Sequence, residues 1–302
     1  MEQPSHTDPA AHRRRFVQKS ALALGALGAA LVGRRAAHPP SAQAAPALPE
    51  APGNDLIRMQ RELDASLARP PEQRSWVMVV DTRRCVGCNA CTIACRAENV
   101  TGPAGSYRRV RRIESGAGAW LAGTFKPANC MQCDNPPCAK AAPQGMVRKR
   151  ADGIVEFDYE RLRGTYAHAV AAACPYKAVH VDDGRRFTDS TPELQPYELR
   201  TFRENGRQWS RREQGALAGV ARKCHFCSHL LEAGLLPACV TTCIGGAMYF
   251  GDLKNAAGLA AGLLRERKVM RLNEDWGTLP RVYYVTDPYP NTAQAACNAC
   301  HY

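Results

Sequence analysis

Four thiols fall within eleven residues as Cys85-x2-Cys88-x2-Cys91-x3-Cys95. Thiolates are soft ligands that select zinc, copper(I) and iron–sulfur clusters. This spacing lets three close cysteines wrap one four-iron cluster while the fourth serves another. A disulfide between such near neighbours would be strained. A second block reads Cys130-x2-Cys133-x4-Cys138, and Ala142 stands where a full motif would place its last cysteine. In a third block only Cys174, followed by Pro175, remains, and Gly164, Ala167 and Val170 occupy the other ligand positions. A fourth block reads Cys224-x2-Cys227-x11-Cys239-x3-Cys243.

The chain has fourteen cysteines, and the last two lie in Cys297-Asn-Ala-Cys300-His301. C-x2-C-H is the attachment motif of a c-type haem, with two thioether bonds and the histidine as axial ligand. A labile disulfide or half of a zinc site are the alternatives for this pair. His168 and His180 lie near the third block, where a histidine is more often a surface or satisfied residue than a ligand.

These residues need elements to hold them. Trp76–Asp81 reads as an apolar strand, and 154–157, 178–181 and 281–286 read as further short strands. Leu56–Leu67 is an amphipathic piece inside a Pro- and Ala-rich leader or arm spanning 45–75, and 253–267 has helical composition. Residues 183–222 carry eight arginines, six acidic residues and no cysteine, and read as a surface insertion with a helix near its end. The apolar material between motifs is thin, so metal clusters must form much of the interior.

The amino terminus reads Arg13-Arg14-Arg15-Phe16, then a Gly- and Ala-rich apolar stretch from Ala21 to Val32, then Ala42-Gln43-Ala44. This resembles a twin-arginine export signal over residues 1–44. That route carries folded proteins, which suits cofactors inserted before export. The net charge is +12, of which 1–44 contribute +4, leaving +8. An oxidised four-iron cluster with four thiolates carries about −2, so clusters would absorb much of that excess. Nucleic acid is therefore discounted as a partner, and Arg108, Arg109, Arg111 and Arg112 read as a solvated face or docking surface. The mean hydropathy is −0.36, and no stretch approaches the roughly 20 apolar residues of a membrane span.

The order of blocks, with Cys130-Met-Gln-Cys133-Asp-Asn-Pro-Pro-Cys138, Leu231-Glu-Ala-Gly-Leu-Leu-Pro-Ala-Cys239, Gly245-Gly246-Ala247 and Phe250-Gly251-Asp252, resembles a known family. It is similar to the polyferredoxin electron-transfer subunits of molybdoenzyme-linked respiratory complexes. Tetrathionate, polysulfide and dimethyl-sulfoxide reductases belong there, as does the periplasmic iron–sulfur subunit of the sulfite-reductase-associated transmembrane complex. The resemblance covers about residues 76–286, with 287–302 left as a tail carrying the C-x2-C-H motif. It implies an α+β fold of two ferredoxin-like halves wrapped around [4Fe-4S] clusters. It also implies that blocks exchange their fourth cysteines. Cys85, Cys88, Cys91 and Cys243 then hold one cluster. Cys224, Cys227, Cys239 and Cys95 hold a second, and Cys130, Cys133, Cys138 and Cys174 a third. The fourth site would need Gly164, Ala167, Val170 and Ala142, none of which can ligate iron, so it is expected to be empty and repacked by small apolar residues. In relatives that cluster lies closest to the membrane subunit.

The expected function is electron transfer in the periplasm, at the cytoplasmic membrane through partner subunits, in sulfur-compound respiration or oxidation. The implied partners are a polytopic quinone-binding membrane subunit and a catalytic oxidoreductase subunit or multihaem cytochrome. No catalytic residues are assigned, since no hydrolytic triad, phosphate loop or dinucleotide fingerprint is visible. The alternative is a structural adaptor that kept the fold and lost efficient electron transfer.

Overall fold

The structure is a computed structural model that describes residues 54–115, 122–213 and 215–285. The expected export signal and Cys297, Cys300 and His301 lie outside the described residues. Asn54 caps the first helix, α1 (Asp55–Leu67), its side chain accepting from the amides of Leu56 and Ile57. The apolar stripe of α1 buries Met59 and Leu63. Part of the expected 45–75 arm is thus a core element, and Glu62 on α1 also accepts from the amide of Leu259.

The central sheet is built on β1 (Trp76–Asp81), whose six residues are all buried. Such a continuous apolar run is what a strand covered on both faces requires. β1 pairs antiparallel with β10 (Met248–Asp252) and parallel with β12 (Val282–Val285), which pairs in turn with β11 (Val269–Arg271). The helix expected over 253–267 forms only as α8 (Leu259–Glu266). Asp252 explains the delay: its carboxylate accepts from the amides of Ser75 and Lys254 and turns the chain first. A Cβ on Gly251 would stand 2.8 Å from that of Ala260, so glycine lets α8 approach the sheet.

The remaining pieces are short. They include α2 (Ala90–Asn99), the hairpin β2 (Arg109–Ser115) with β3 (Ala122–Ala128), and α3 (Pro137–Lys140). β4 (Val147–Lys149) pairs with β5 (Val155–Phe157), and α4 (Gly164–Ala172) follows. Next come β6 (His180–Val181), α5 (Pro196–Leu199) and the hairpin β7 (Thr201–Glu204) with β8 (Arg207–Ser210). β9 (Ala221–Arg222) pairs with β6, ahead of α6 (Ser228–Glu232) and α7 (Ala238–Thr241). The content is mixed α and β. No helix forms at the end of 183–222, where residues 215–219 turn into β9. None of the described helices is long and apolar enough to cross a membrane.

The segment 183–222 also supplies buried charge. Arg222 pairs with Asp182 at 3.0 Å and Glu204 at 2.9 Å, and Arg211 pairs with Asp182. Tyr107 donates to Glu204 at 2.8 Å. The positive charge of Arg222 beside Glu204 holds that carboxyl far below the usual range, despite its burial.

Candidate iron–sulfur centres

All twelve cysteines of the four blocks are described, and none forms a disulfide. In three blocks the first two cysteines are joined by a loop whose third residue is left-handed. Those residues are Gly87 at φ 71°, Gln132 at φ 50° and Phe226 at φ 54°. The turn curls the loop so that both thiols face the same side. At Gly87 glycine is required twice over, because a Cβ would meet the Phe125 ring at 2.5 Å. At the other two loops the strain is held by packing. Gln132 donates to the carbonyl of Cys224 and accepts from the amide of Val155, and Phe226 packs edge-on against Phe250. A non-glycine residue in this region costs about 1–2 kcal/mol, which two buried hydrogen bonds can offset.

Helices set the other thiols. Cys91 and Cys95 stand four apart on one buried face of α2. α3 carries Cys138, α7 carries Cys239, and Cys174 and Cys243 follow the ends of α4 and α7.

Three groups of four result. Cys85, Cys88, Cys91 and Cys243 line one small cavity. Cys130, Cys133, Cys138 and Cys174 line another. Between them, Cys95 faces Cys227, Cys224 and Cys239, all four buried. Thiols of neighbouring groups lie near enough to act on one another electrostatically, Cys91 with Cys239 and Cys224 with Cys130. The order is therefore first, middle, third. Cys88 is exposed at the outer end of the first group.

The donor set fits a multi-iron cluster. Among the described residues no three His, Cys, Asp or Glu side chains come close enough to hold a single ion. The thiols instead come together in fours, as a cluster with four thiolate ligands requires. Burial pushes Cys91 up to about 11 and Cys133, Cys138 and Cys224 up to about 12. Without metal they stay protonated near neutrality, and iron must displace those protons. Donors aim at the sulfurs: the amides of Ala247, Ala178 and Phe226 point at Cys243, Cys174 and Cys224. The Asn99 amide reaches Cys95 Sγ at 3.5 Å and Cys227 Sγ at 3.8 Å, and Asn129 reaches Cys224 Sγ at 3.8 Å. Such hydrogen bonds tune cluster potentials.

Arg108 corrects the sequence reading. It is 1% exposed and lies against Cys239 at 3.2 Å, whereas Arg111 and Arg112 are exposed. Neither it nor Asn99 and Asn129 belongs to a recurring pattern, so spacing gave no signal for them. At the position of the fourth site, Ala167 and Val170 are fully buried among Leu162, Val220 and Ala221, with Ala142 packed alongside and Gly164 exposed. His168 is exposed on α4, and His180 packs against Tyr107. A polar cleft of about 600 Å³ beside β5 and β8, lined by Glu156, Tyr159 and Trp209, contains no cysteine.

Loop-and-helix thiol groups strung in a row define a polyferredoxin-type iron–sulfur protein. A 4Fe-4S dicluster domain matches residues 121–190 and 209–253. The B subunit of selenate reductase from Mesobacillus selenatarsenatis is 44% identical over 76% of this chain and 78% of its own. The B subunit of tetrathionate reductase from Salmonella typhimurium is 35% identical over 70% of this chain and 72% of its own. The B component of polysulfide reductase from Wolinella succinogenes is 29% identical over 70% and 94%. The chain belongs to this family of iron–sulfur electron-transfer subunits of molybdoenzyme reductase complexes.

Proposed function

We propose that this chain carries three [4Fe-4S] clusters, one in each thiol group, and passes single electrons along them between two partner proteins. The observation that carries this is the row of three four-thiol groups, each electrostatically coupled to the next. The clusters supply one-electron chemistry when bound. The protein's own residues hold them in line, exclude water from the middle one, and aim amides at the ligand sulfurs. The repacked Ala167 and Val170 support the reading that the fourth site is lost. The two apolar cores, one under the central sheet and one around Phe157 and Leu162, suit two ferredoxin-like halves, with 183–222 as an insertion.

The arginine-rich amino terminus supports export by the twin-arginine route, hence a periplasmic subunit held at the membrane through its partners. Cys297, Cys300 and His301 would hold a c-type haem, an exit or entry point in place of the lost cluster. One partner is a quinone-binding membrane subunit, the other a catalytic subunit or multihaem cytochrome, in sulfur-compound metabolism. The names of the tetrathionate and polysulfide relatives support that substrate class.

Iron, sulfide and pyridine haemochrome assays on the exported protein test the reading. Three clusters and one c-type haem per chain are expected. A full-length chain with four clusters refutes the lost site, and one with no haem refutes the haem assignment.

A further inference from the structure

Among the described residues, no carboxylate pairs with the buried guanidinium of Arg108. The other large buried guanidiniums, Arg211 and Arg222, are paired with Asp182 and Glu204. Among the described residues, the hydrogen-bond partners of the Arg108 guanidinium are sulfurs, with Nη2 at 3.2 Å from Cys239 Sγ and 2.9 Å from Met78 Sδ. Its Nε and Nη1 have no hydrogen-bond partner among the described residues. Leaving a charge and two donors buried and unpaired is costly, and neutral thiols do not repay it. The compensating anion must come from what the thiols hold. The guanidinium lies near Cys91 of the first group and near Cys239 and Cys224 of the middle group. It is not among the largest influences on Cys133, Cys138 or Cys174.

We propose that Arg108 is the shared counter-ion of the first and middle clusters, donating through Nε and Nη1 to their sulfur and holding both reduction potentials up. This rests on the thiol groups being cluster sites. Reduction adds one electron, and so one negative charge, to a cluster beside the guanidinium. The fixed cation therefore favours the reduced form. The third cluster, beyond its reach, is left alone. Arg108 is a positioning and tuning residue, since it ligates no iron.

The test is a redox titration followed by electron paramagnetic resonance, on the full chain with clusters loaded. Arg108→Met keeps the volume and removes the charge, and Arg108→Lys keeps the charge. In Arg108→Met, two of three reduction equilibria are expected to shift at least tenfold toward oxidised, or 59 mV downward for one electron. The third stays put, and Arg108→Lys stays near wild type. Loaded Arg108→Met with all potentials unmoved, or with all three moved equally, overturns the proposal. If Arg108→Met does not take up iron, adding Met78→Lys returns a cation to the same spot and is expected to restore loading. Failure to restore it overturns the role of charge. A wild-type chain that binds no iron overturns the cluster reading beneath, and the proposal with it.

Discussion

At the scale of single residues, the thiols divide by what one substitution should remove. Cys174 stands apart in sequence, 36 residues beyond Cys138, yet it lines the same cavity as Cys130, Cys133 and Cys138. The amide of Ala178 donates to its sulfur at 3.4 Å. Cys174→Ala should cost one third of the iron and sulfide and leave the other two clusters with unchanged spectra and potentials. Cluster counting with electron paramagnetic resonance checks this. Loss of signal from the first cluster instead would show that the ligand sets are wrongly paired. The four cysteine blocks were legible in the sequence because their short spacings recur, whereas the grouping of their thiols into sets came only from the family resemblance. Arg108, Asn99 and Asn129 were not. Each is one polar residue whose role depends on burial, and an arginine followed by Arg109, Arg111 and Arg112 looks like surface until its neighbours are known.

At the scale of elements, the sequence showed strands more clearly than the charge network that ties them. Trp76–Asp81 announced itself because a strand covered on both faces needs an unbroken apolar run. The pairing of Arg222 with Asp182 and Glu204 left no such trace, since an arginine-rich stretch reads alike whether its side chains face water or a carboxylate. His180, on β6, reports on that network. Burial, helped by the charge of Arg222, pushes its ring down to about 4, against the opposing pull of Asp182 and Glu204. An unfolded histidine titrates near 6.5, so between these values the unfolded chain binds the extra proton. The stability is therefore fully present above about pH 6.5 and is lost as pH falls toward 4, by about 3 kcal/mol. Glu204, held low, adds a further loss once pH drops through the ordinary carboxylate range. Urea midpoints from pH 7 to 4.5 should fall, and His180→Gln should flatten that slope relative to wild type. Equal slopes for the two proteins would remove His180 from the account.

At the scale of the molecule, what matters is where the row of clusters meets solvent. Isolated exposed apolar side chains are ordinary on protein surfaces. Among the described residues, five of the nine exposed large apolar side chains lie beside the first and third thiol groups. Val86, Ile93 and Ile244 are 61%, 64% and 74% exposed, and each sits within two residues of a cysteine of the first group. At the other end Trp276 and Leu279 are exposed, and Trp276 packs on Tyr176, which lines the third cavity. A partner pressed on either patch would exclude water and stand close to a cluster, whereas the buried middle group offers no such mouth. Ile244→Glu with Val86→Glu should slow electron exchange with the partner at the first end while leaving iron content, potentials and exchange at the third end unchanged. Trp276→Glu should do the reverse. Stopped-flow reduction and reoxidation with each partner separates the two rates. If either variant slowed both exchanges equally, electrons would be entering and leaving through one face. The order first, middle, third would then describe thiol packing without describing the path of the electron.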